Sequence, residues 1–160
     1  MAEVAIEQTA VTRKKAQRGG RLRPPAPFKH ENPNIDKGKV FVTLGQTDLI
    51  RGVVQCVKSG EGDNNLHSHT GMDSFWMVLK GEVTFYGPEK DQVMGVYGPH
   101  EGLIMPRNNA YWFASTGEQD LELLQVTGLA NDVKNERVNL EPERDGVGPG
   151  KTIHVDGRVK

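Results

Sequence analysis

Short apolar runs separated by glycine, proline and asparagine organise this chain from residue 39 to residue 127. Lys39–Leu44 and Leu49–Val57 are rich in Val, Ile and Phe. A polar loop, Gly60–Asn65, precedes Leu66–His69. Phe75–Leu79 and Val83–Tyr86 are hinged at Gly81, and Gln92–Tyr97, Leu103–Met105, Tyr111–Ser115 and Leu121–Thr127 complete the series. A spacing of about 8–12 residues with turn formers between the runs is the pattern of an antiparallel sandwich or barrel. No segment holds a 3.6-residue apolar period for three turns, so helices are not expected. The pattern predicts an all-β domain.

Composition narrows the class. At 160 residues the chain has room for one domain with a real core. Nineteen glycines and nine prolines suit a protein of strands and turns. Cys56 is the single cysteine, which excludes a disulfide framework and a cysteine-rich zinc site; beside Val54 it reads as a small buried hydrophobe. No apolar run approaches the roughly 20 residues of a spanning helix, so no membrane partner is expected. The first residues contain no apolar signal core, which points to a cytoplasmic protein.

The formal net charge of −1 hides an uneven distribution. Residues 1–30 carry net +5, through Arg13, Lys14, Lys15, Arg18, Arg21, Arg23 and Lys29; residues 31–130 carry net −6, and the remainder balances. With Pro24, Pro25 and Pro27 and few apolar residues, the start reads as an arm. It lacks the interleaved aromatics of a nucleic-acid binder, so no such partner is expected. Gly146, Gly148, Pro149 and Gly150 mark a polar tail. The expected division is an arm over 1–36, a barrel over 37–128 and a tail over 129–160.

His67-Ser68-His69 is the chemically suggestive group. Residues two apart on a strand share a face, with Cα atoms roughly 6.5–7 Å apart. Two imidazoles so placed can converge on a metal at about 2.0–2.2 Å, and imidazole suits zinc, iron, copper or nickel. Such pairs also arise by chance on exposed strands.

The stretch GEGDNNLHSHTGMDSFWMVLKG, Gly60 to Gly81, resembles the first motif of the cupins: glycine, His-x-His, a glutamate and a closing glycine. EVTFYG and the later PHEGLIMPRNNAYWFAST resemble that family's next strands and second motif. The resemblance covers about residues 38–128. It implies a small jelly-roll β-barrel, commonly dimeric, holding a divalent metal (iron, zinc, nickel or manganese) inside. The implied ligands are His67 and His69, with Tyr111 where the family has its later histidine. The glutamate position falls on Ser74, beside Asp73. Strand parity admits either residue facing inward, and a bulge near Gly71 and Met72 would turn Asp73 in. Pro106 of the second motif is kept, while Asn108 replaces a glycine, as a residue tolerant of the left-handed region can.

The expectation drawn from this is a small-molecule enzyme of dioxygenase, isomerase or lyase type, with Tyr111 and Asp73 as catalytic candidates. Two alternatives stand beside it: a metal-free acid/base isomerase or cyclase, and a ligand-binding barrel without chemistry. Alternation from an inward Tyr111 brings in Phe113 and Ser115 and sends Trp112 outward, where a homodimer interface would cover it. Trp76, Gln55 and Gln125 are further lining candidates, and Arg107 is placed at the mouth for an anionic substrate. His100 reads as a surface turn residue.

Overall fold

The computed structural model describes residues 23–144 and 153–159. Arg13, Lys14, Lys15, Arg18, Arg21 and the tail's Gly146, Gly148, Pro149 and Gly150 lie outside them. The described residues form eleven strands and no helix: β1 (Lys39–Gln46), β2 (Ile50–Val57), β3 (His67–His69), β4 (Met72–Lys80), β5 (Val83–Tyr86), β6 (Val93–Tyr97), β7 (Gly102–Met105), β8 (Trp112–Ser115), β9 (Leu121–Leu129), β10 (Arg137–Asn139) and β11 (Ile153–Asp156). The first nine correspond to the nine predicted runs. No helix among the described residues is long and apolar enough to cross a membrane.

Two sheets face each other as a jelly roll. The larger has the order β11-β1-β2-β9-β4-β7; opposite it lie β6-β5-β8 and the β10-β3 pair. Reciprocal backbone bonds between His67 and Tyr111 (3.1 and 2.9 Å) join the two smaller pieces into one layer. Strands β10 and β11 come from the segment read as a polar tail. Every residue of β11 is exposed, so it carries no burial pattern to betray it. It pairs parallel to β1, unlike the antiparallel remainder.

Strand β4 shows how parity is settled. Its pairing with β9 runs without a shift from Met72 to Val78. The side chains of Ser74, Trp76 and Val78 are therefore buried between the sheets, whereas Asp73 and Phe75 are exposed. The inner core gathers Trp76, Val78, Phe85, Tyr111, Phe113, Leu121 and Leu123. A second cluster, Val42, Leu44, Val54 and Cys56, lies on the outer face of the larger sheet with Ile35 packed against it. Burial on both faces explains why every residue from Val53 to Val57 is buried, with Gln55 the one polar side chain among them. The Cys56 thiol is pushed up to about 12 by that burial, as befits an inert packing residue.

Residues 28–35 hold the outer face from the N-terminal side. Lys29 N donates to Gly157 O (3.1 Å), and Asn32 Nδ2 and His30 Nε2 both meet the Glu122 carboxylate at 2.6 Å. Gly81 and Gly102 set two of the barrel's tight places. Gly81 has φ of 82° in the β4–β5 turn, and a Cβ there would sit 2.7 Å from Asp120 O. Gly102, opposite Met77, lies so close that a Cβ would overlap the Trp76 carbonyl oxygen.

Candidate functional site

A cavity of about 380 Å³ opens between the sheets. Its buried part includes Lys39, Gln55, Asn64, His67, Trp76 and Phe113; its more open part includes Phe41, Arg51, His69, Gln125, Arg137 and His154. Alternation delivers them. Lys39 and Phe41 share the inner face of β1, Val53 and Gln55 that of β2, and Gln125 and Thr127 that of β9.

The predicted histidines meet here. His67 is 2% exposed, and its Nδ1 lies 2.7 Å from Asn65 O, so the neutral ring donates from Nδ1 and leaves Nε2 free. The His69 ring stands perpendicular to it at 5.1 Å, with Nδ1 buried and unpartnered. Burial, then the Arg137 charge, lowers His67 to about 3 and His69 to about 4. Both imidazoles are neutral at pH 7.

Trp76 and Phe113 line the cavity as expected, their rings edge-on at 5.4 Å. The indole nitrogen of Trp76 is buried without a partner. Gln55 and Gln125 form a ladder: Gln55 Nε2 donates to Gln125 Oε1 (3.0 Å), and Gln125 Nε2 donates to Ser74 Oγ (3.2 Å). Among the described residues Gln55 Oε1 has no partner. Several polar atoms at this site are thus left for a ligand or water to satisfy.

Three sequence expectations are corrected by placement. Asp73 is exposed on the outer face, where its Oδ1 accepts from Arg107 N (2.8 Å); no bulge at Gly71 or Met72 turns it inward. Arg107 is exposed in the same turn, with Nη1 3.9 Å from Asp132, and does not line the cavity. Trp112 is covered rather than exposed. It stacks on Tyr86 at 4.1 Å, lies beneath the Arg144 guanidinium, and donates from Nε1 to Lys90 O (2.6 Å). Tyr111 is buried beside His67, with ring centroids 4.6 Å apart, but is not among the lining residues. Burial drives its hydroxyl pKa upward, against phenolate formation. His100 occupies an exposed turn, and Asn108 takes a φ of 66°.

Sequence reasoning missed the cations. Lys39 is 8% exposed, its Nζ 4.4 Å from the centroid of Phe113, and among the described residues its side chain makes no hydrogen bond or ion pair. Burial lowers it to about 7, with Asp63 opposing and Arg137 assisting. Arg137 stands opposite His69 in the β3–β10 pair. Its Nε donates to Asn139 Oδ1 (2.9 Å) and its Nη2 to Asn65 Oδ1, both neutral amides. Arg51 completes the set. Among the described residues no aspartate or glutamate lines the cavity. A lysine opening a strand reads as solvent-facing; its parity with Phe41 was the available signal.

These residues do not fit a resident divalent metal. Among the described residues no group of three or more His, Cys, Asp and Glu converges. Two imidazoles remain, with no carboxylate, a phenol held protonated, and the Arg137 and Lys39 charges opposing any cation placed beside His67.

No family profile and no curated protein matches the sequence. Solved structures do match its fold. An uncharacterized conserved protein with a double-stranded β-helix domain from Klebsiella pneumoniae is 16% identical, over 74% of this chain and 90% of that one, with a TM-score of 0.53. An RmlC-like cupin family protein from Methanocaldococcus jannaschii is 20% identical over 69% and 94%, with a TM-score of 0.52. KdgF from Halomonas sp. is 15% identical over 68% and 97%, with a TM-score of 0.56. The paired sheets, their strand order and these likenesses establish that the chain has the double-stranded β-helix fold of the cupins.

Proposed function

We propose that the barrel is the cavity of a small-molecule enzyme that takes a small organic anion with an apolar or aromatic body and acts on it by acid/base chemistry without a resident metal. One observation carries this reading: Lys39, Arg51 and Arg137 line a cavity to which no described residue contributes a carboxylate. A buried cation lacking a counter-ion is costly, and an anionic ligand removes that cost. The Trp76 and Phe113 rings supply the apolar wall. His67 and His69, neutral well below pH 7, serve as hydrogen-bonding groups. Lys39, near 7, is the group whose proton affinity suits transfer at neutral pH.

Calorimetric titration with benzoate and with the uncharged benzamide tests the reading. Benzoate is expected to bind at least tenfold more tightly, and Arg137→Gln to remove most of that preference. Equal binding of the two, or binding of neither, overturns it.

The partner reading is a second copy of the chain. Ile104 (66% exposed) and Phe75 (45%) are cross-strand neighbours on the outer face, and Val126 continues the row beside Phe75. An apolar row of this kind is what a subunit contact covers, and it replaces Trp112 as the interface candidate.

A further inference from the structure

Lys39, which the anion reading uses as a charge and a proton carrier, is also a nucleophile. Resting on that reading, we propose that Lys39 is an imine-forming lysine, whose amine condenses with the carbonyl of a small 2-oxo acid held by the cavity's arginines.

The argument begins with position. Lys39 opens β1 and shares its inner face with Phe41, so its side chain runs into the cavity instead of out to water. Most lysines end in solvent or in an ion pair. This one ends over the Phe113 ring and, among the described residues, makes no hydrogen bond or salt bridge. The nearest acidic influence, Asp63, is already engaged by Arg144 Nη1 at 3.2 Å. The amine is thus both reachable from the cavity and uncommitted.

Its surroundings favour the neutral amine, which is the nucleophilic form. Burial is the largest influence and disfavours protonation; Arg137 acts with it, Asp63 acts against both, and the group is brought to about 7. A large share is therefore unprotonated at neutral pH, where an exposed lysine is almost wholly charged. Arg137 and Arg51 also line the cavity and suit the acid's carboxylate, and guanidinium groups match that planar partner.

The step balances without an outside reagent. The amine nitrogen attacks the carbonyl carbon and a C–N bond forms while the carbonyl π pair moves to oxygen. The two amine hydrogens then leave with that oxygen as water, and a C=N bond remains. The product draws electrons from the adjacent carbon, which is what a proton-transfer enzyme acting there requires.

Reductive trapping tests this on the full chain. The protein is incubated at pH 7 with glyoxylate and cyanoborohydride, and the modified lysines are mapped by peptide mass spectrometry. Lys39 is expected to be labelled at least tenfold faster than any exposed lysine. Benzoate should slow that labelling several-fold and leave the others unchanged. Lys39→Arg, which keeps the charge, should lose only the fast adduct. Labelling of Lys39 no faster than the exposed lysines overturns the inference. If benzoate binds and Lys39 stays unlabelled, the anion cavity stands and the imine falls. If Lys39 is labelled fast and benzoate does not bind, the imine stands and the ring-bearing anion falls. If neither occurs, both fall.

Discussion

Arg137 sits directly across the β3–β10 pair from His69, which puts a guanidinium beside an imidazole in a cavity whose described lining includes no carboxylate. Cross-strand partners are the nearest side-chain neighbours in a sheet, so this pairing is a principal reason the site is cationic. Removing the charge should free the histidine. In Arg137→Met protein, the His69 pKa is expected to rise from about 4 by roughly one unit, read by imidazole NMR titration. An unchanged titration would mean that burial alone lowers it.

Acid stability follows from the same two histidines. Both have folded-state pKa values below the ordinary 6.5, His67 at about 3 and His69 at about 4. Between those values and 6.5 the unfolded chain binds more protons than the folded one. Stability should therefore fall as pH drops from 6.5 towards 4, at up to about 1.4 kcal/mol per pH unit for each fully linked proton. Lys39 acts over another window with the same sign, raising stability as pH climbs from 7 towards 10.5. Urea denaturation across pH 4–7 should show the acid slope, and His67→Asn should flatten it.

Metal content offers a separate check. Purified protein is expected to hold well under one equivalent of iron, zinc, nickel and manganese, with the same content in His67→Ala/His69→Ala protein and no change in melting on adding a chelator. One equivalent of any of these metals, lost in the double variant, would refute the cationic-cavity account.

Gly102 links packing to the site. A methyl group there overlaps the Trp76 carbonyl and forces β4 and β7 apart. Gly102→Ala should cost about 1–3 kcal/mol, as overpacking does, and shift Trp76 fluorescence. A silent substitution would show that the two strands are more loosely coupled than the register implies.

On the outer face, Ile104→Glu combined with Phe75→Glu should turn a dimer into a monomer in sedimentation and leave the melting temperature within a few degrees. A wild-type chain that sediments as a monomer at micromolar concentration would remove the interface reading.

Much of the architecture was legible along the chain. Nine strands announced themselves because each alternates apolar side chains or runs apolar between turn formers, and the His67–His69 spacing marked one end of the cavity. Choosing between Asp73 and Ser74 was another matter. Both faces of β4 are apolar, since Trp76 and Val78 bury inward while Phe75, Met77 and Leu79 look outward, so periodicity carries no sign. Register with β7 and β9 supplies it.

The cations were illegible for a different reason. Lys39 is an ordinary charged residue at a strand start, and Arg137 lies in a polar stretch 68 residues after His69 in the chain. Neither has a local pattern that marks it as internal. Local pattern reports which residues prefer burial, and that was enough for the strands, the barrel and the histidine pair. The cationic character of the cavity arises from pairings between strands, the distant β10 on β3 and the neighbouring β1 on β2. Those contacts force residues that prefer water into a shared interior, and no property of either segment alone encodes it.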